Sequence, residues 1–155
     1  MDKEYAFNKN ILIAVDESEN ARRAVLYVAQ LLEGVKGFRI SILHVIGEPE
    51  EDYFATPEER EKWLGQYKKK VDKMLEDYRQ ILIHRGFEPS VVSVRSTMRH
   101  CPSMAKCILD ERDETKYSTV VVGRQGLSRT EEFLFGSTSS KIVNYARNCT
   151  VWVVE

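Results

Sequence analysis

The sequence predicts an α/β fold: one parallel sheet of five strands, doubly wound by helices on both faces. Three observations lead there. Short apolar runs alternate with segments of helical period in the order βαβαβαβαβ. The runs are continuous rather than alternating, as in strands buried on both sides. No linker, repeat or low-complexity stretch divides the chain, so residues 1–155 are expected to form a single domain. Parallel strands need long crossovers, and helices supply them.

Each element has its own signal. Asn10 to Val15, NILIAV, is the first strand, stopped by the polar cluster Asp16-Glu17-Ser18. From Asn20 to Leu32 the residues Ala21, Val25, Val28 and Leu32 recur at helical spacing, and Gly34 is a natural stop. Phe38 to Ile46, FRISILHVI, is the second strand. An acidic excursion, Glu48 to Thr56, leads into Thr56-Pro57-Glu58-Glu59, a capping box with proline at the first helical position. The helix it opens carries Leu64, Tyr67, Val71, Met74, Tyr78 and Ile81 on one face and ends at Gly86. Val91 to Val94 is the third strand. Pro102 to about Glu111 is a shorter helix with Met104, Ala105 and Ile108 inward. Thr119 to Val122 is the fourth strand. Ser137 to Ala146 is a helix with Ile142, Val143 and Ala146 on one side, and Thr150 to Val154 is the fifth strand.

Composition narrows the function classes. At 155 residues a chain of this kind can bury about 70% of its unfolded surface. A net charge of −1 supplies no basic field for nucleic acid or an anionic membrane. The opening MDKEYAFNKN has no apolar h-region, and no later run approaches membrane-spanning length. Cys101, Cys107 and Cys149 are an odd count without tight pairing. They are expected as reduced thiols in a cytoplasmic protein.

In open parallel sheets ligands sit beyond the carboxyl ends of strands, where the strand order reverses. Two of those loops are chemically loaded: Asp16-Glu17-Ser18 after the first strand and Gly123-Arg124-Gln125-Gly126 after the fourth. In the order 3-2-1-4-5 these strands are neighbours and their loops splay apart around one crevice. The alternation of elements does not itself fix that order. Gly123 and Gly126 let backbone approach a ligand closely, and Gly136-Ser137-Thr138 opens a helix whose free N–H groups favour an anion. Any one of these glycines could be an ordinary turn, and Ser137 a simple cap. Three glycines and a hydroxyl pair behind a strand point to phosphate.

On those residues the chain resembles the ATP-binding subgroup of the universal stress protein family, of the adenine nucleotide alpha hydrolase-like fold. That subgroup carries G-x-x-G, nine residues, then G-[ST], matched here by Gly123, Gly126, Gly136 and Ser137. NILIAVDES and ISILHVI are similar to the family's first two strands, and the resemblance spans residues 10 to 155. It implies that Asp16 and Gly123 hold ribose hydroxyls. Val45, through its backbone, and Val122 line the adenine pocket. Gly126, Gly136, Ser137 and Thr138 bind phosphates, with a magnesium ion shared among phosphate oxygens. In the order 3-2-1-4-5 the fifth strand, TVWVV, is an edge that invites a second copy across a two-fold axis, which would bring Trp152 near its symmetry mate; the resemblance likewise implies a homodimer through this strand. The chain departs from the family twice. Thr97-Met98-Arg99-His100-Cys101 replaces a glycine-rich turn after the third strand, and Thr150 replaces the proline after Cys149.

Other chemistry is weakly signalled. There is no G-x-x-x-x-G-K-[ST], no G-x-G-x-x-G after the first strand and no G-x-S-x-G. His100, Cys101 and Cys107 fit no common zinc spacing. His44 and His84 read as structural, and Lys68-Lys69-Lys70 as a solvated face. Arg124 and Arg129 either neutralise the loop's guest or face solvent. No residue is assigned a catalytic role, since Asp16 is committed to ribose and Glu131 and Glu132 are loop acids. The first expectation is thus a regulatory module that binds ATP or a related adenine nucleotide. A slow ATPase or phosphotransferase, and a dimeric interaction protein indifferent to nucleotide, are the alternatives.

Overall fold

The computed structural model describes residues 7–124 and 137–155. Five strands lie side by side, all parallel: β1 (Asn10–Ala14), β2 (Arg39–Gly47), β3 (Val92–Arg99), β4 (Thr119–Gly123) and β5 (Thr150–Val154). Their order is β3-β2-β1-β4-β5, so the chain reverses its direction of travel across the sheet between β1 and β4. Leu12 of β1 stands opposite Ser41 of β2 and Val120 of β4.

Side chains of β1, β2 and β4 alternate between two apolar layers because successive residues point to opposite faces. Ile11, Ile13, Ile40, Ile42 and Val121 enter the layer beneath α1 (Glu19–Leu31) and α2 (Pro57–His84). Leu12, Leu43, Val45, Val120 and Val122 enter the other, beneath α3 (Met104–Thr115) and α4 (Ser137–Tyr145). Leu12, Ile13, Ile42 and Leu43 are wholly buried, each side chain contributing about 1.5–3 kcal/mol. Among the described residues no helix is long and apolar enough to cross a membrane.

The helices start where capping residues stand. The Ser18 side chain accepts a hydrogen bond from the Ala21 N–H, and that of Thr56 accepts from Glu59. α1 buries Ala21, Ala24, Val25, Val28 and Ala29, and the chain leaves it through Gly34 at a φ of +76°. α2 runs 28 residues, about 42 Å. Only its second half reaches the core, through Val71, Leu75, Tyr78 and Leu82. The Tyr78 hydroxyl donates to the Asp16 carbonyl at 2.9 Å, tying α2 to the end of β1.

Several expectations need correction. β3 continues to Arg99, so Thr97, Met98 and Arg99 are strand rather than turn. As an edge strand it carries a polar, partly exposed sequence, VSVRSTMR, and is defined by its ladder to β2 rather than by apolar content. α3 begins at Met104, capped by Ser103, and continues to Thr115. Met104 and Val143 are exposed rather than inward. Cys101 and Cys107 are joined in a disulfide, against the expectation of reduced thiols; Cys149 is free. Spacing hides the pair because the turn into α3 folds the chain back, bringing the two Cα atoms to 5.8 Å across six residues. Opposite the bridge, buried Glu111 of α3 accepts from Arg95 and Arg99 of β3.

The Tyr78 phenol gives a test of how α2 is held. Burial raises its pKa above 10.0, with the Asp16 charge adding to the effect. A raised folded-state pKa contributes stability that is present below the unfolded value and lost as pH climbs through the folded one. Native stability should therefore fall above pH 10, and Tyr78→Phe should flatten that fall while costing about 0.5–1.5 kcal/mol at neutral pH. Urea unfolding on both sides of the transition reads both effects; an alkaline slope identical in the variant contradicts this role.

Candidate functional site

The site forms where β1 and β4 end side by side. Beyond β1 the Asp16 carboxylate accepts from the Ser18 N–H at 2.8 Å, closing a tight turn that presents Ser18 to cap α1. Beyond β4 the backbone passes hard against the start of α1. A Cβ on Gly123 would lie 2.5 Å from the Asn20 carbonyl carbon and oxygen and 2.7 Å from the Ala21 nitrogen. The buried Asn20 side chain donates to the Arg124 carbonyl, and the Arg124 N–H donates to Val154 at 2.7 Å. The end of β4 is thus fastened to the first turn of α1 and to the end of β5.

On the other face, a cleft of about 170 Å³ opens between these ends and α3. Leu43, Val45, Val122 and Ile108 make its apolar walls, and Met104 stands at its mouth. Asp16 and Thr138, in the first turn of α4, supply the polar end. Binding cavities for drug-sized ligands begin near 300 Å³, so the space bounded by the described residues is smaller than such a ligand and apolar apart from its Asp16 and Thr138 end.

His44 separates this cleft from a larger hollow, of about 380 Å³, between the start of α1 and the middle of α2. Its ring Nδ1 lies 2.7 Å from the Val15 carbonyl and its Nε2 lies 3.3 Å from the Tyr67 hydroxyl. The carbonyl can only accept, so Nδ1 carries a proton and donates to it. Burial, then the charges of Glu17 and Asp16, raises the Tyr67 pKa and keeps that phenol a donor. The rim of the larger hollow mixes Glu17, Glu19 and Asp77 with Arg22, Lys70 and Lys73, and Lys73 already pairs with Asp77 at 2.8 Å. Its charges do not converge, so we place the site at the smaller cleft.

Of the residues singled out by sequence, Asp16, Val45, Val122, Gly123 and Thr138 line one cleft. Gly126 and Gly136 lie outside the described residues, as do Arg129, Glu131 and Glu132; of Ser137 only the backbone is described. Arg124 pairs with Glu155 at 3.3 Å. Sequence reasoning missed Asn20, which reads as an ordinary helix-start polar residue, and the reach of His44 to the cleft. Ile108 is buried as expected and also lines the cleft, whereas Met104, expected inward, stands exposed at its mouth. A polar residue two positions after a cap, where the first turn turns inward, is the one signal that could have found Asn20.

The sequence matches the family described as the Universal stress protein family over residues 8–155. No curated protein matches it. Among solved structures, the hypothetical protein MJ0577 is similar with a TM-score of 0.76 and 21% identity, over 96% of both chains. A universal stress protein in complex with cAMP has a TM-score of 0.70 at 18% identity, over 97% of this chain and 99% of that one. The universal stress protein of Archaeoglobus fulgidus in complex with dAMP has a TM-score of 0.65 at 18% identity, over 97% and 100%. At such identities the likeness is one of fold.

Gly123→Ala should force β4 and α1 apart, since both neighbours of the new Cβ are backbone. The expected cost is about 1–3 kcal/mol, read as a lower urea midpoint with an unchanged slope. Wild-type stability in that variant would show that the loops are not held together through this contact.

Proposed function

The chain belongs to the universal stress protein family, and we propose that within it this protein is a cytoplasmic, single-domain module that binds an adenine nucleotide, ATP in particular, as a signal of cell state. The observation that carries the reading is the meeting of Asp16, Val45, Val122, Gly123 and Thr138 around one cleft at the switch point of the sheet. Val45 and Val122 offer apolar walls for the base, and the Val45 backbone can meet its polar edge. Asp16, beside the close-packed Gly123, receives the ribose hydroxyls. Thr138, with Ser137, Gly126 and Gly136, receives phosphate at the start of α4. The complexes with cAMP and dAMP formed by two similar structures support an adenine nucleotide as the guest.

Magnesium fits this site as a companion of the phosphates. Among the described residues no three His, Cys, Asp or Glu side chains cluster to hold a metal. The residues at hand are hydroxyl and backbone groups, which suit phosphate oxygens. Magnesium would neutralise phosphate charge; the chain's own groups bind and orient. Asp16 accepts from the Ser18 N–H and is assigned to the ribose, so the proposal gives it a positioning role and is a binding module rather than an ATPase.

Calorimetric titration with ATP tests the site. Charge-assisted hydrogen bonds to the ribose contribute roughly 1.5–3 kcal/mol each, so Asp16→Asn should weaken ATP by about tenfold or more. That variant keeps an oxygen for the Ser18 N–H and hence the turn. The loss should be smaller for 2′-deoxy-ATP. Equal losses for the two nucleotides, or no loss, contradict the ribose role.

We further propose a homodimer through β5. This strand is the edge of the sheet, with Val153 42% exposed, and an unpaired edge invites a second strand. Trp152 meets Tyr27 of α1 edge-on at 6.2 Å, which stiffens the strand from its inner face. Light scattering should return twice the chain mass, and Val153→Lys should lower it toward one chain; a monomeric wild type contradicts the dimer.

A further inference from the structure

The nucleotide reading leaves the disulfide unexplained. Cys101 stands two residues beyond β3, half-buried, and Cys107 is 2% exposed in the first two turns of α3. Between them lie Pro102, the capping Ser103 and Met104. The bridge therefore fastens the β3–α3 connection onto the beginning of the helix. That beginning faces the cleft: Met104 and Ile108, three residues before and one after Cys107, are its α3 wall. The paired Glu111 anchors the helix to β3 one turn further along. Apart from the bridge, the first turn is held by the Ser103 cap and the packing of Ala105.

We propose that Cys101 and Cys107 form a reversible redox site whose state sets the α3 wall of the cleft, and through it the affinity for the nucleotide. The inference rests on the nucleotide reading for its ligand, but not for its chemistry. A dithiol reductant opens the bridge. Its thiolate attacks the Cys101 sulfur, the more accessible one, forming a mixed disulfide and releasing Cys107 as a thiolate that takes up a proton. The reductant's second thiolate then attacks its own sulfur, closing a cyclic disulfide and releasing Cys101, also protonated. Two electrons and two protons pass to the protein. The reverse reaction, with a small disulfide such as oxidised glutathione as oxidant, remakes the bond. Closed, the bridge holds Met104 in place for the guest; open, residues 100–103 and the first turn of α3 are freed, and binding must order them again.

The full chain is prepared oxidised, with oxidised glutathione, and reduced, with dithiothreitol. Peptide mapping checks the bond, and intact mass should rise by about 2 Da on reduction. Amide hydrogen exchange is followed over residues 100–108, without nucleotide, and AMP binding is measured in both states. Reduction should speed exchange in that segment and weaken AMP by at least about fivefold, the lower range of coupling between sites. Cys101→Ser should behave as the reduced protein under either condition, and Cys149→Ser as the wild type. Failure of the bond to form, or exchange and affinity alike in both states, overturns the proposal. AMP bound equally tightly in both states despite altered exchange overturns the coupling and leaves nucleotide binding standing. Altered exchange with AMP bound in neither state removes the nucleotide reading and supports redox control of the wall.

Discussion

The end of β4 lies against the first turn of α1 with no side chain between them, and the site depends on that contact. Gly123 is the residue that permits it, since any Cβ there would fall inside the van der Waals envelope of Asn20 and Ala21. Asn20 fastens the contact by donating to Arg124, and Ser18 caps the helix from the turn that Asp16 closes. These few groups hold the end of β4 and the start of α1, distant in the chain, in one orientation. The cleft lies beside this contact, toward α3 and α4.

Packing supplies the frame. A parallel sheet covered on both faces lets β1 and β4 be apolar throughout, so their ends are fixed by burial rather than by loop chemistry. The wall contributed by α3 has a different basis. That helix is joined to the edge strand β3 by the buried Glu111 with Arg95 and Arg99, and by the bridge from Cys101 to Cys107. One wall of the cleft is thus set by the buried sheet, while the other rests on polar and covalent links at an edge.

The legible parts of the sequence were those where burial dictates residue type. β1 and β4 centre on apolar runs, β2 is buried along all but its ends, the cap Thr56 precedes its helix, and Gly34 and Gly86 follow theirs. The sheet order expected on resemblance is the order observed. β3 was cut short because an edge strand held by its ladder need not be apolar, and SVRSTMR is mostly polar. Leu75 and Leu82, both buried, were passed over for less buried neighbours on α2, since a 28-residue helix meets the core along only part of its length. The disulfide and the part played by Asn20 depend on how the chain turns between elements, which spacing alone does not report. Five candidate site residues came together because each follows or closes a strand end, or opens the helix after one, where fold geometry gathers them.

The central claim is that an adenine nucleotide occupies the cleft at the switch point and not the larger hollow beneath α2. Two-dimensional amide NMR of the labelled protein, titrated with ATP and magnesium, tests it most directly. The account predicts the largest shifts at Asp16, Val45, Val122, Gly123 and Thr138, with Lys70, Lys73 and Asp77 hardly moved. Shifts centred on Lys70, Lys73 and Asp77, or none at saturating nucleotide, would contradict it.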